Sequence, residues 1–146
     1  MEYASSVWAP FKSKHIELIE GVQRRATKQL PSMKGMTYEE RLRKLKLPTL
    51  SYRRIRGGMI EVYKMLHGKY DQKAGNLLKL WPEHSLRTGT RGNSKKLFTR
   101  RARLDVRKHS SGVRVVQVWN SLPEKVVSAN SLNTFKNRLD NYWKNQ

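Results

Sequence analysis

The sequence predicts a mainly α-helical fold, with a small helical bundle followed by a basic connector and two C-terminal helices. Apolar residues recur at steps of three and four across residues 13–30, 49–67 and 131 onward, and that spacing places them on one face of a helix. Helix-capping residues flank several of these segments. The alternation typical of a β-strand is confined to one stretch, residues 95–108.

The first predicted helix, over residues 13–30, has an apolar face and a cationic face. On a helical wheel, the packing side consists of Ile16, Ile19, Gln23, Ala26 and Leu30. The opposite side consists of Lys14, Arg24, Arg25 and Lys28. We therefore expect one face to pack and the other to carry positive charge.

A short second helix is predicted after the break at Pro31. Thr37 and Glu40 have the spacing of a capping box, in which the Thr hydroxyl accepts from the Glu40 amide and the Glu carboxylate reaches back. The helix then runs through Leu45 and ends before Pro48.

The third predicted helix covers residues 49–67, and Gly68 fits a left-handed C-terminal cap. Gly57 and Gly58 lie inside this pattern, where each glycine is less favourable than alanine by about 1 kcal/mol. We expect another backbone to approach the helix closely there, in preference to a kink.

Residues 69–94 are predicted to be mostly a linker with one helical turn at residues 74–80, because Pro, Gly and Asn punctuate them. Alternating apolar and charged side chains over residues 95–99 and 103–108 favour a short β-hairpin. The predicted division is a helical bundle (1–68), a linker (69–94) and a basic C-terminal extension that packs on the bundle (95–146).

Two helices are predicted near the C-terminus. The segment from Ser110 through Trp119 is rich in valine, which favours a strand, but its length favours a largely buried helix. The last helix begins near Ser131 and is expected to pack through Phe135 and Leu139.

The positive charge is the strongest functional signal in the sequence. The chain has 31 Lys and Arg against 11 Asp and Glu, a formal net charge of +20. A surplus of this size on a small surface repels itself unless a polyanion neutralises it, whereas a basic surface selected for solubility normally has a net charge of about 2–8. The composition therefore favours RNA or DNA as the partner.

Several kinds of chemistry lack the residues they require. With no cysteine, thiol catalysis and cysteine-ligated metals are excluded, and no histidine pair has metal-ligand spacing. The three aspartates, Asp71, Asp105 and Asp140, are far apart in sequence, although two-metal catalysis requires clustered carboxylates. We expect no catalytic residues, no metal, no cofactor and no membrane span.

The candidate binding residues are basic side chains in two parts of the sequence. They are Arg24, Arg25, Lys28, Arg53, Arg54, Arg87, Arg91, Lys95, Lys96, Arg100, Arg101, Arg103, Arg107 and Lys108. The part between residues 87 and 114 mixes arginines with glycines and contains Asp105 as its single acid, a composition suited to phosphate contacts. The alternative is a flexible basic loop without fixed geometry. Trp8, Trp81, Trp119 and Phe135 are expected in the core, and Phe98 is the best candidate for stacking on a base.

Several motifs, in order along nearly the whole chain, are similar to those of one known family. They are Glu2-Tyr3-Ala4, Val7-Trp8-Ala9-Pro10, Val22-Gln23-Arg24-Arg25-Ala26-Thr27, Tyr38-Glu39-Glu40-Arg41-Leu42, Val62-Tyr63-Lys64, Arg103-Leu104-Asp105, Trp119-Asn120-Ser121-Leu122-Pro123 and Phe135-Lys136-Asn137-Arg138-Leu139. Together they resemble the region after the catalytic palm of non-LTR (LINE-type, CR1/jockey-like) retrotransposon reverse transcriptases.

The resemblance implies that the first three helices form a thumb, which grips the template–primer duplex, and that the rest is a C-terminal extension. The palm aspartates and the fingers of the family are missing from this sequence, so the resemblance implies a fragment of such a polymerase. Some tails in these retrotransposons carry a Cys/His knuckle, which this chain cannot form without cysteine.

The sequence therefore predicts a non-catalytic protein that grips RNA, DNA or an RNA–DNA hybrid, inside the cell, in the nucleus or cytoplasm. One alternative is a non-catalytic part of a split or longer RNA-directed DNA polymerase, with the palm and fingers as its partner. Another is a basic protein that lies on a membrane surface or acts as a scaffold.

Overall fold

A computed structural model of the chain describes residues 10–70, 78–81, 92–99, 103–104 and 110–144. The described part is mainly helical, which confirms the mainly α-helical part of the predicted fold class. Its α-helices are α1 (Ser13–Lys28), α2 (Tyr38–Leu45), α3 (Leu50–Leu66), α4 (Ser111–Ser121), α5 (Glu124–Val127) and α6 (Leu132–Lys144), and a 3₁₀ turn spans Pro31–Met33.

Internal contacts divide the chain into two compact units, the first unit, Met1–Gly57, and the second unit, Gly58–Gln146. The division falls inside α3, between the two glycines noted in the sequence. The predicted bundle, 1–68, extends eleven residues further than the first unit. Helix α3 therefore contributes its first half to one unit and its second half to the other.

The capping box predicted at the start of α2 is confirmed. The Thr37 backbone N–H donates to the Glu40 carboxylate at 2.7 Å, and the Glu40 N–H donates to the Thr37 hydroxyl at 3.4 Å. The bonds from the Thr37 N–H and hydroxyl hold the pKa of the Glu40 carboxyl below its usual value. The helix ends at Leu45, and the next residue, Lys46, adopts a left-handed conformation with φ 53°. This end lies before Pro48, as predicted.

The packing face of α1 differs from the predicted face at its C-terminal end. Ile16, Ile19 and Gln23 are half-buried as expected, but Ala26 is exposed and Thr27 is buried in its place. The Thr27 hydroxyl donates to the carbonyl of Gln23 at 2.9 Å, so its polar group is satisfied inside the helix and can be buried.

A single carboxylate joins the three helices of the first unit. Glu20 on α1 accepts a hydrogen bond from the Tyr38 hydroxyl at 2.5 Å and another from the Leu50 backbone N–H, at the start of α3, at 3.1 Å. Burial, with help from the bond to Glu20, raises the pKa of Tyr38 to about 12. The negative charge at a helix N-terminus is also favourable to the helix dipole.

The glycines of α3 have different surroundings. A Cβ added at Gly58 would lie 3.3 Å from Cγ1 of Val115, whereas nothing lies within 4 Å of one at Gly57. Close packing is therefore confirmed at Gly58, although its neighbour is a side chain and not a backbone, and the prediction is wrong at Gly57. Gly68 has φ 63°, which fits the left-handed cap expected after this helix.

The second unit encloses an apolar core. The side chain of Trp119 on α4 is fully buried and lies beside Phe135 on α6, with their ring centroids 5.8 Å apart. The Tyr63 ring stacks on the Phe135 ring, with the two centroids 4.5 Å apart. The Tyr63 hydroxyl donates to the Ala129 carbonyl at 2.7 Å. The buried helix near residues 110–119 and the packing of the last helix are both confirmed.

Helix α5 is a single turn without a predicted counterpart. The helical turn expected at 74–80 and the second arm of the hairpin, 103–108, lie mostly outside the described residues. In the first arm, Leu97 forms an antiparallel bridge with Leu80.

Candidate nucleic-acid interface

Six of the predicted binding residues lie outside the part of the chain that the structure describes. They are Arg87, Arg91, Arg100, Arg101, Arg107 and Lys108. The second basic part of the sequence is therefore described through Lys95, Lys96 and Arg103, of which Arg103 is exposed.

The cationic face predicted for α1 is present on the surface. Lys14, Arg24, Arg25 and Lys28 are all exposed. At 3.6 residues per turn, Lys14, Arg25 and Lys28 lie within about 60° of one another around the helix and span about 21 Å along its axis. Arg24 is partly engaged within the unit, because its guanidinium lies 5.2 Å from the centre of the Tyr38 ring.

Exposed cations outnumber exposed acids in the described part of the first unit. Ten Lys and Arg side chains are exposed there, against three Glu side chains. The cations are Lys12, Lys14, Arg24, Arg25, Lys28, Lys34, Arg43, Lys44, Lys46 and Arg53, and the acids are Glu17, Glu39 and Glu40. Most of this surplus is available to an anionic partner.

Two arginines of the first unit are buried. Arg54, a predicted binding residue, is only 6% exposed, whereas its neighbour Arg53 is exposed. Arg54 therefore offers little surface to a phosphate strand. Arg41 is buried to the same degree, with its guanidinium 5.9 Å from the Tyr38 ring centre. Each of these arginines directly precedes an apolar residue, Leu42 or Ile55, but the prediction placed Arg54 on the cationic face of α3 because of its charge.

In the second unit, residues 93–97 are held in place by the turn that follows α4. The buried Asn93 amide donates to the carbonyls of Trp119 at 3.0 Å and Leu122 at 3.1 Å. Ser94 donates through its backbone N–H and its hydroxyl to Glu124, at 2.6 and 2.8 Å. These two bonds hold the pKa of the Glu124 carboxyl below its usual value.

Trp119 and Asn120 complete this attachment. The Trp119 indole N–H donates to the carbonyl of Lys95 at 2.9 Å. The Asn120 side chain accepts from the Leu97 N–H and donates to the Leu97 carbonyl, both at 2.9 Å. The Trp119-Asn120-Ser121-Leu122-Pro123 motif thus has a structural role, which sequence reasoning missed because each partner lies more than twenty residues away.

The two described lysines of this segment are both half-buried. Lys95 donates to Nε2 of His67 at 2.8 Å, and Nδ1 of His67 lies 2.8 Å from the Tyr63 carbonyl. Nδ1 therefore carries the proton and Nε2 accepts, so Lys95 is held inside the unit. The aliphatic end of Lys96 lies across Gly92, 2.5 Å from where a Cβ would be. Gly92 has φ 140°, a conformation that favours glycine.

The predictions for the aromatic residues are confirmed in part. Trp119 and Phe135 are buried as predicted. Trp81, also predicted in the core, is instead 38% exposed and lies beside Phe98, which is 41% exposed. Trp8 lies outside the described residues.

Two kinds of site are not found among the described residues. No group of three or more His, Asp or Glu side chains there could hold a metal ion. No helix in the described ranges is long and apolar enough to cross a membrane.

No family model, curated protein or solved structure matches this chain. The candidate interface is therefore defined by its own geometry and charge.

Proposed function

We propose that this protein binds RNA, DNA or an RNA–DNA hybrid through the phosphate backbone, without catalysis of its own. The observation that carries the proposal is the surplus of exposed cations in the described part of the first unit, ten against three acids. The face of α1 formed by Lys14, Arg25 and Lys28 is its most regular part. Such a surface attracts polyanions and is stabilised by them.

Backbone contacts fix position on a duplex without reading its sequence. The cations of α1 are flexible Lys and Arg side chains on a helix surface, and guanidinium groups can pair with phosphate oxygens through two hydrogen bonds at once. We therefore expect affinity to depend strongly on salt and weakly on nucleotide sequence.

The resemblance to non-LTR reverse transcriptases supports a more specific form of the proposal. In that form the chain corresponds to a thumb and C-terminal extension, and the duplex it grips is an RNA template paired with its primer. The palm and fingers of a reverse transcriptase are then its protein partner, and catalysis belongs to the palm.

The proposal is tested by binding of labelled RNA, DNA and hybrid duplexes at several salt concentrations. The logarithm of affinity should fall linearly with the logarithm of salt, with a slope of about −0.9 for each phosphate neutralised. The variant Arg25→Glu/Lys28→Glu should lose at least about tenfold in affinity at 0.15 M salt, and its slope should be shallower by about 2.

A matched control separates geometry from total charge. Lys125→Glu/Lys144→Glu makes the same change in net charge at two exposed lysines of the second unit. We expect it to weaken binding less than the α1 variant does. Equal loss in both variants would contradict a fixed binding face on α1, and salt-independent binding, or none at low salt, would contradict the proposal as a whole.

A further inference from the structure

Residues 79–81 and 96–98 form one small extended pair in the second unit. The Trp81 N–H donates to the Lys96 carbonyl, and the Phe98 N–H donates to the Lys79 carbonyl, both at 2.8 Å. In an extended segment successive side chains point to opposite faces. Because Leu97 is directed into the core, its neighbours Lys96 and Phe98 lie on the outer face.

The same alternation places Lys79 and Trp81 on that outer face, opposite Phe98 and Lys96 across the pair. The four residues form an outward surface, which we call the ring–lysine face, that consists of two aromatic rings and two cations. Its position is fixed from behind, since the Asn120 side chain binds both backbone polar groups of Leu97.

The two rings are exposed although they contact each other. Trp81 is 38% and Phe98 41% exposed, with ring centroids 5.5 Å apart and planes inclined by 41°. Each ring therefore keeps an uncovered surface, which a further flat group can cover. Large rings left in water at a rigid position are typical of binding surfaces.

The positive charge of the ring–lysine face favours a flat partner that also carries negative charge. A nucleotide offers both complementary groups, a base that stacks on an aromatic ring and a phosphate that pairs with a lysine. In a duplex the faces of the bases are covered by their neighbours, so a ring on a protein surface reaches a base only where the strand is unpaired.

We propose that the ring–lysine face binds unpaired nucleotides of a single-stranded RNA or DNA, with a base stacked on Trp81 or Phe98 and a phosphate near the exposed Lys79. The inference rests on the proposed function and deepens it, because it adds a site for single strands to a protein that grips duplex backbone.

The experiment compares two oligonucleotides of equal charge. One is an oligothymidylate of about 12 nucleotides, a length within the range that single-strand sites cover, and the other has the same phosphates with abasic sugars throughout. The full chain should bind the oligothymidylate at least about tenfold more tightly than the abasic strand. Stacking of one base on an aromatic ring raises affinity by a factor of roughly 5 to 150.

Variants test which residues give the preference for the oligothymidylate over the abasic strand. Trp81→Leu/Phe98→Leu keeps apolar side chains but removes both rings, and should bring the ratio of the two affinities close to one while leaving binding to the abasic strand unchanged. Trp81→Tyr/Phe98→Tyr keeps two rings and should retain most of the ratio. Phe11→Leu, which removes a ring that is 43% exposed in the first unit, is the matched control and should leave the ratio unchanged.

The lysines provide an independent measurement. Lys79→Ala should weaken binding of both oligonucleotides by the same factor, because a phosphate contact does not depend on the base. Its salt slope should be shallower by about 0.7, the value for one phosphate of a single strand.

Several results would overturn the inference. Equal affinity of the unmodified protein for the oligothymidylate and the abasic strand would contradict it without any variant. Loss of the preference for the oligothymidylate in the Phe11 variant alone would also contradict it. If the leucine variant instead abolished self-association in sedimentation and left the ratio intact, the rings would belong to a protein–protein contact. Salt-dependent duplex binding in the same samples would still support the proposed function, so the failures of the two proposals are distinguishable.

Discussion

The first unit holds its helices with three buried apolar side chains among its described residues, whereas the second unit encloses a cluster of fourteen. At about 1.5–3 kcal/mol for each buried side chain of this kind, the second unit has several times the gross hydrophobic stabilisation. The first unit relies on polar ties such as the bonds to Glu20. It also displays the larger surplus of exposed cations in the described residues.

This difference indicates a division of roles between a stable scaffold and a charged surface. A unit with few buried side chains has little stability in reserve, and mutual repulsion of its cations reduces that reserve further. A polyanion that neutralises those charges would bind and stabilise the first unit at once. We expect the second unit, with its larger buried cluster, to depend less on such a partner.

The largest effect is expected from removing the central side chain of the second unit. Trp119→Ala deletes a fully buried ring that contacts Phe135 and donates to the Lys95 carbonyl. We expect it to lower the free energy of unfolding by about 3–5 kcal/mol, measured by denaturant titration with circular dichroism. The same substitution at the exposed Trp81 should cost about 1 kcal/mol or less. Similar losses at both positions would contradict the contrast drawn between core and surface.

A smaller effect is expected at the polar tie of the first unit. Glu20→Gln removes the charge that accepts from the Tyr38 hydroxyl and the Leu50 N–H. The substitution weakens two hydrogen bonds to a charged group and removes a charge near a helix N-terminus, so we expect the free energy of opening to fall by about 1–2 kcal/mol. Amide hydrogen exchange of α2 and of the start of α3 measures this free energy. Glu17→Gln, at an exposed position of the same helix, is the control, and equal effects from the two would show that Glu20 is not the tie.

The smallest effect is expected at the pair of glycines where the units meet in sequence. Gly57→Ala has open space for a Cβ and should stabilise α3 by about 0.5–1 kcal/mol. Gly58→Ala gains the same helix propensity but places its Cβ 3.3 Å from Val115, so its melting temperature should rise less or fall. A larger gain at Gly58 than at Gly57 would refute close packing at that glycine.

Local signals in the sequence predicted most of the helical structure. The capping box at Thr37 and Glu40 and the stripe through Phe135 and Leu139 depend on residues three or four positions apart, so periodicity and capping rules detect them. Helix α5 was missed because a single turn has too few residues to establish a period. Thr27 was missed because Ala26, its neighbour, fits a helical stripe equally well and is apolar.

The candidate interface was predictable only in part. The exposed cations of α1 follow from its amphipathic pattern, which opposes them to Ile16 and Ile19. Arg54 was predicted on the cationic face of α3 because of its charge, although it is buried. The attachment of Lys95 to His67 depends on a partner 28 residues away, which no local pattern specifies. The pairing of Trp81 with Phe98 likewise joins residues from two separate segments.

The hydrogen bonds around Leu97 have a consequence for solubility. An extended segment normally leaves backbone groups along one edge that a strand from another molecule can pair with. Here residues 79–81 satisfy one edge, through the Lys96 carbonyl and the Phe98 N–H. The Asn120 carboxamide satisfies the opposite edge at Leu97 with both a donor and an acceptor. Residues 96–98 can therefore present the Phe98 ring to water without offering the backbone of Leu97 as a template for aggregation.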